Sequence, residues 1–144
     1  MNVGLGPQHL GGPRVEIEVR TTGLIEAVDV TGAVLAHLPG EGATLVSLPH
    51  TSAALMLSEN DADLLRDVER LASGLLKPFE PFAHARGGVA NAQAHLLSSL
   101  IGTQLTLISR DGTWQRGPWQ HLILVELDGP KDRTISIERL GGSS

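Results

Sequence analysis

Hydrophobic and charged residues alternate over Val15, Ile17 and Val19 against Glu16, Glu18 and Arg20, which predicts a half-buried strand with one wet face. Thr21-Thr22-Gly23 reads as a turn into a short strand-like piece, Leu24 to Val28. Asp29 has N-cap chemistry, and Val30, Ala33, Val34 and Leu38 follow it at helical spacing until Pro39-Gly40-Glu41-Gly42 ends the segment. Two apolar strands come next, Ala43 to Leu48 and Ala53 to Leu57, separated by Pro49-His50-Thr51-Ser52.

Ser58-Glu59-Asn60-Asp61 supplies capping groups for the strongest helix. Its stripe of Leu64, Leu65, Val68, Leu71, Ala72, Leu75 and Leu76 opposes Arg66, Asp67, Glu69 and Arg70, and Pro78 stops it. A loop to Gly88 carries His84, and Ala90 to Ile101 reads as a second long helix. A strand around Leu105 and Leu107, the turn Arg110-Asp111-Gly112, the aliphatic run Leu122 to Leu127, the turn Asp128-Gly129-Pro130 and a closing strand through Ile135, Ile137 and Leu140 complete the chain. About seven strands mixed in order with two or three helices predict a single α+β domain over residues 14–140, between a loose Gly- and Pro-rich leader, 1–13, and a fraying tail, 141–144. Consecutive apolar strands predict a sheet covered on both faces, in part by other subunits.

Composition narrows the function. With aromatics at 3%, the core must be aliphatic, and a formal charge of -5 argues against a general nucleic-acid binder. Cysteine is absent, which removes disulfides, thiolate zinc sites and thiol catalysis. No apolar run reaches the roughly 18 residues that span a membrane, and the start of the chain lacks a secretory pattern, so a cytoplasmic location is expected. No Gly-x-Gly-x-x-Gly, P-loop or nucleophile elbow is present, so no nucleotide cofactor is expected and serine hydrolysis is demoted.

The candidate chemistry begins at His50, a group able to transfer protons or bind a metal at a break between two core strands; a histidine capping a strand end is the alternative. Thr51 and Ser52 can donate to carboxylate or phosphate oxygens. His84 and His95 could join His50 around zinc or a similar metal with one position left open, although the spacing matches no standard zinc motif. Asn91 precedes His95 by four and faces the same way on a helix. Asn60, Asp61 and Asp63 at a helix start read as caps; the alternative is that a carboxylate there holds magnesium or orients a histidine. Trp119 with Gln120 offers an indole to stack on a heterocycle and an amide to bond its edge. Glu126 follows four aliphatic residues, so it is expected to be buried and to need a partner. Lys131 and Arg133 are basic groups close by, suited to phosphate or to an exposed turn.

The ordered set His50-Thr51-Ser52-Ala53-Ala54-Leu55, Glu59-Asn60, Asn91-Ala92-Gln93-Ala94-His95-Leu96, Ser99-Leu100-Ile101-Gly102, Trp119-Gln120 and Glu126-Leu127-Asp128-Gly129-Pro130 resembles the YjbQ family of secondary thiamine-phosphate synthase-like proteins. The resemblance covers nearly everything after the first dozen residues. It implies a compact α+β fold with a large mixed sheet, assembled as a homotrimer, and a polar pocket near a subunit boundary. The implied reaction joins a hydroxymethylpyrimidine diphosphate to a thiazole phosphate and releases pyrophosphate, with a divalent cation, magnesium or zinc, stabilising the leaving group. His50, His95 and Glu126 are then the catalytic candidates. Thr51, Ser52, Asn60, Asn91, Trp119, Gln120 and Lys131 would bind the small phosphorylated ligand, and His50, His84 and His95 would be the metal candidates. Alternatives are a metal-dependent hydrolase of small molecules and a trimeric ligand-binding protein without turnover; neither nucleic acid nor membrane is an expected partner. This chain departs from the family pattern at Pro118 (usually threonine), Lys131 (usually arginine) and Gln93 (often histidine), and the segment after Asn60 is a residue short.

Overall fold

The computed structural model describes residues 14–141. Strand β1, Arg14–Arg20, turns Val15, Ile17 and Val19 inward as their alternation requires, and pairs antiparallel with β8, Asp132–Leu140. β8 pairs on its other side with β3, Gly42–Ser47, and β3 pairs with β5, Gln104–Arg110, which carries the two-residue β6, Thr113–Trp114. These make a five-stranded sheet in the order β1-β8-β3-β5-β6. A second sheet, β2-β7-β4, is built from Glu26–Asp29, His121–Glu126 and Ala53–Ser58.

Helix α1, Thr31–Leu35, follows β2. Asp29 starts it as expected, although the N-cap position itself is Val30: Asp29 Oδ1 accepts the Thr31 N–H at 2.9 Å. Helix α2, Ala62–Gly74, is capped by Asp61, whose Oδ1 accepts the Leu64 N–H at 2.8 Å. A 3-10 turn at Lys77–Phe79 holds the proline that stops α2. Helix α3, Val89–Ile101, ends at Gly102, where φ is 103°.

Three layers result: the large sheet, the small sheet, and α2 with α3 on the outer face of the small sheet. β7 lies in the middle layer, which is why Leu122 to Leu127 is apolar without alternation. Leu122 and Leu124 face the core between the sheets, while Ile123, Val125 and Leu127 face the helices. Aliphatic side chains fill both cores, and Trp114 is the one buried aromatic among the described residues. The α+β class and the helices match the sequence reading. The sheet is divided in two, and every strand pair among the described residues is antiparallel. The physical reason lies at Leu48–Ser52, where the chain leaves the large sheet and enters the small one, so that sequence neighbours β3 and β4 never pair. Among the described residues no helix is long and apolar enough to cross a membrane.

Candidate functional site

The Leu48–Ser52 crossover is where the candidate residues begin. His50 Nε2 accepts the Thr134 N–H at 2.9 Å, just past the last β3–β8 pair, Ser47 with Ser136. The side chain satisfies a β8 donor that β3 has stopped serving. Accepting that hydrogen fixes Nε2 as the unprotonated nitrogen and leaves the ring proton on Nδ1. Burial, and then the charge of Arg133, hold the imidazole below its ordinary value of 6.5. His50 therefore occupies the strand-end position that the sequence offered as the alternative to proton transfer.

Beneath it lies an ion pair that ties the two sheets together. Glu126 ends the inward face of β7, and Arg133 begins the inward face of β8; their side chains are 0% and 3% exposed. Glu126 Oε1 accepts from Arg133 Nε at 2.8 Å and from Thr21 Oγ1 at 2.7 Å. Its Oε2 accepts from Arg133 Nη2 and from the N–H groups of Leu127 and Asp128, at 3.0 and 3.1 Å. Burial alone would raise the carboxyl. The hydrogen bonds from Arg133, Thr21 and Asp128, together with the guanidinium charge, outweigh it and hold Glu126 below 4.5. Arg133 Nη2 also donates to the carbonyl and the Oγ of Ser52, both at 2.9 Å. With both oxygens engaged, Glu126 is built to fix the crossover and the Asp128 loop, and Ser52 is one of its anchors.

The open side is formed by α3 and the loop after β7. His95 Nδ1 lies 2.8 Å from the carbonyl oxygen of Thr51. A carbonyl only accepts, so Nδ1 carries the hydrogen and Nε2 of the neutral ring presents a lone pair. The His84 ring stands edge-on to His95 with centroids 5.4 Å apart. His84 Nε2 is 3.3 Å from Asn91 Oδ1, Asn91 Nδ2 donates to Asp128 Oδ2 at 3.1 Å, and Lys131 Nζ reaches the same oxygen at 3.3 Å. Glycine makes this line possible twice. A Cβ at Gly87 would overlap the Asn91 side chain, with its Cβ at 2.8 Å; one at Gly129 would fall 2.7 Å from Glu126 Cγ and 2.9 Å from Thr21 Oγ1. A hollow of about 190 Å3 opens beside His84, lined also by Phe82, Gly88 and Val89. It sits at the N-terminus of α3, where Gly88 supplies no side-chain cap and the first turn holds no acid.

His50, Thr51, Ser52, His84, Asn91, His95, Glu126 and Lys131 thus converge on one end of the small sheet through these bonds. Asn60, Trp119 and Gln120 do not join them. Ser58 pairs with His121 at one end of β4–β7 and Ala53 with Glu126 at the other, about 17 Å apart at strand rise. At the far end Asn60 Nδ2 donates to Asp29 Oδ2 at 2.9 Å, and Gln120 Oε1 accepts the Gly117 N–H at 2.9 Å. Trp119 is 71% exposed. Pro118 is harmless in that turn, because the closing bond runs from Gln120 N to Gly117 O and asks nothing of residue 118. Asp61 is the cap described above and Asp63 pairs with Arg66, the caps-and-charges reading of that segment. Among the described residues no three His, Cys, Asp or Glu side chains gather into a set able to hold a metal ion; His84 and His95 stand together, and His50 is hydrogen-bonded to β8.

Thr21 and Asp128 were not singled out from the sequence as site residues. Asp128 stands in the sequence as a turn residue and as part of the Glu126-to-Pro130 motif, with no partner indicated. Arg133 had a better signal: it stands two residues before Ile135 and four before Ile137, on their face, where a charge demands a buried partner.

The profile described as UPF0047 protein YjbQ-like matches residues 15–142. The chain belongs to that family. Among its relatives are a UPF0047 protein of Archaeoglobus fulgidus, 30% identical over 88% of this chain and 100% of its own length, and UPF0047 protein YugU of Bacillus subtilis, 33% identical over 87% and 97%. The fold is similar to the crystal structure of a hypothetical protein from Aeropyrum pernix, with a TM-score of 0.83 and 33% identity over 91% of this chain and 100% of the other. It is also similar to a YbjQ-like protein of unknown function from Sulfolobus solfataricus, with a TM-score of 0.80 and 31% identity over 90% and 97%. The YjbQ-like family therefore shares the layered fold. These relatives are named by family or as unknown in function, so chemistry has to be argued from the site.

Proposed function

We propose that this YjbQ-like protein is a transferase of the thiamine-phosphate synthase type, acting on phosphorylated heterocycles. The observation that carries this reading is the oriented imidazole of His95, with Nδ1 bound to Thr51 and Nε2 available, at the same end of the small sheet as an uncapped helix N-terminus. The N-terminal amides and positive end of α3 favour an anion, and at the rim Lys131, paired with Asp128, could turn its ammonium toward a bound phosphate. In the reaction the thiazole nitrogen lone pair forms a C–N bond to the pyrimidine methylene as its C–O bond breaks, and the diphosphate leaves with that electron pair. Stabilising the departing negative charge is the demand placed on the protein, and donors held in place before reaction are what meets it. His95, protonated at Nε2, would donate that hydrogen to the departing diphosphate oxygen; Glu126 and Arg133 hold the crossover that orients it.

Asn60, Trp119 and Gln120 enter such a site only from a second copy of the chain, which is how a homotrimer would use them. Val89, Leu96 and Leu100 supply an exposed apolar stripe on α3 next to His95, consistent with self-association. A metal-dependent hydrolase would need a third ligand beyond the His84–His95 pair. A non-catalytic binding protein would show saturable binding and no product.

The test is thiamine phosphate formation by the purified protein with both phosphorylated precursors and magnesium, beside His95→Ala. Turnover that the folded variant loses by at least about a hundredfold supports the reading. Well-folded wild type that gives no product with this precursor pair sinks the named reaction.

A further inference from the structure

The inward face of β8 carries an arginine at each end. Arg133 is neutralised by Glu126; Arg139, six residues on and about 20 Å away at strand rise, has no carboxylate within salt-bridge distance among the described residues. Arg139 lies opposite Thr44 on β3, and Ile137 opposite Val15 on β1. Around them, where α1 and the loop after it close the space between the sheets, is a hollow of about 170 Å3. Val15, Leu38 and Ile137 give it apolar walls, while Thr44, His37 and Arg139 give it polar ones; none of its lining residues is acidic. Thr44 is 1% exposed, and its Oγ1 is buried with no hydrogen-bond partner among the described residues.

A buried hydroxyl without a partner costs about 1–3 kcal/mol, and a partly buried guanidinium with no carboxylate beside it among the described residues is open to an anion. Both groups meet in one concave space, and one ligand chemistry serves both. We propose that this hollow is a second binding site, separate from the His95 site, which takes a small aliphatic carboxylate. The carboxylate would accept from the Arg139 guanidinium and, after a turn about χ1 that brings the hydroxyl to the hollow, from Thr44 Oγ1, and a short alkyl tail would lie against Val15, Leu38 and Ile137. The planar guanidinium fork suits a carboxylate, and the volume limits the tail to a few carbons. His37, at the rim, supplies a further donor.

The experiment is titration of the full 15N-labelled chain with sodium butyrate, followed by amide resonances, with butyramide and inorganic phosphate as comparison probes. The expected result is saturable movement of Val15, Thr44 and Ile137 amides with a Kd of about 1–10 mM, modest for so small a ligand. Butyramide should leave those resonances in place, and phosphate should bind at least about tenfold more weakly for want of a tail. Arg139→Gln should weaken butyrate by about tenfold or more, and Thr44→Val, a nearly isosteric change that keeps the fold even if the arginine variant does not, should weaken it several-fold. His95→Ala should bind butyrate as wild type does, so failure of the proposed reaction and failure of this site are read separately. No saturable shift, equal shifts with butyramide or phosphate, or affinity unchanged in Thr44→Val overturns the proposal.

Discussion

Replacing Arg133 by methionine removes the guanidinium while keeping most of the side-chain volume. Glu126, at 0% exposure, would lose Arg133 Nε and Nη2 and keep only Thr21 Oγ1 and the two loop amides. Ser52 would lose Arg133 Nη2 at both its hydroxyl and its carbonyl, the carbonyl keeping the Leu127 N–H at 3.2 Å. Breaking a buried pair from one side costs about 3–5 kcal/mol, because the remaining charge stays buried. The three retained hydrogen bonds place Arg133→Met toward the lower end of that range. Urea unfolding followed by far-UV circular dichroism, at fixed protein concentration so that any subunit association is held constant, measures it. Glu126→Leu with Arg133→Met should recover a large part of the loss, since an apolar pair of similar volume has no charge to strand. The single-variant penalty should also shrink between pH 7 and pH 4, where a Glu126 freed from Arg133 takes up a proton and becomes cheaper to bury. A pH-independent loss below about 1 kcal/mol, the size of a surface substitution, would refute the argument.

The other predictions follow from single contacts. His50 has a folded-state value below 6.5, so the unfolded chain binds the extra proton more readily; wild-type stability should fall as pH drops through about 6.5, and urea midpoints of His50→Gln should fall less. Gly129→Ala places a Cβ against Glu126 and Thr21 and should cost about 1–3 kcal/mol by thermal unfolding, with weakened ligand binding because the Asp128 loop shifts; an unchanged midpoint would mean the loop yields freely. Asp61→Ala removes the α2 cap and should cost about 0.5–2 kcal/mol, with Asp61→Ser restoring most of it.

The elements were legible because each has a local cause. Alternation gave β1, the leucine stripe and Asp61 gave α2, and the unbroken apolar run from Leu122 gave a strand buried on both faces. The two-residue strand at Thr113–Trp114 has no local signal, since it exists only as a hairpin partner of β5.

The candidate site divides the same way. Residue types that carry chemistry, and the ordered motifs of the YjbQ-like family, can be read directly along the chain. Which of them meet cannot, because hydrogen bonds such as His95 to Thr51 and Arg133 to Ser52 span 44 and 81 positions. The sequence by itself determined the long strands, the helices and the family, all of them set by local periodicity or ordered motifs. Only tertiary structure decided that β3 and β4 part into different sheets, that Glu126 is locked by Arg133, and that Trp119 stands at the far end of β7 from His95. A crossover direction and a strand register depend on what packs across the core, and no local pattern encodes that.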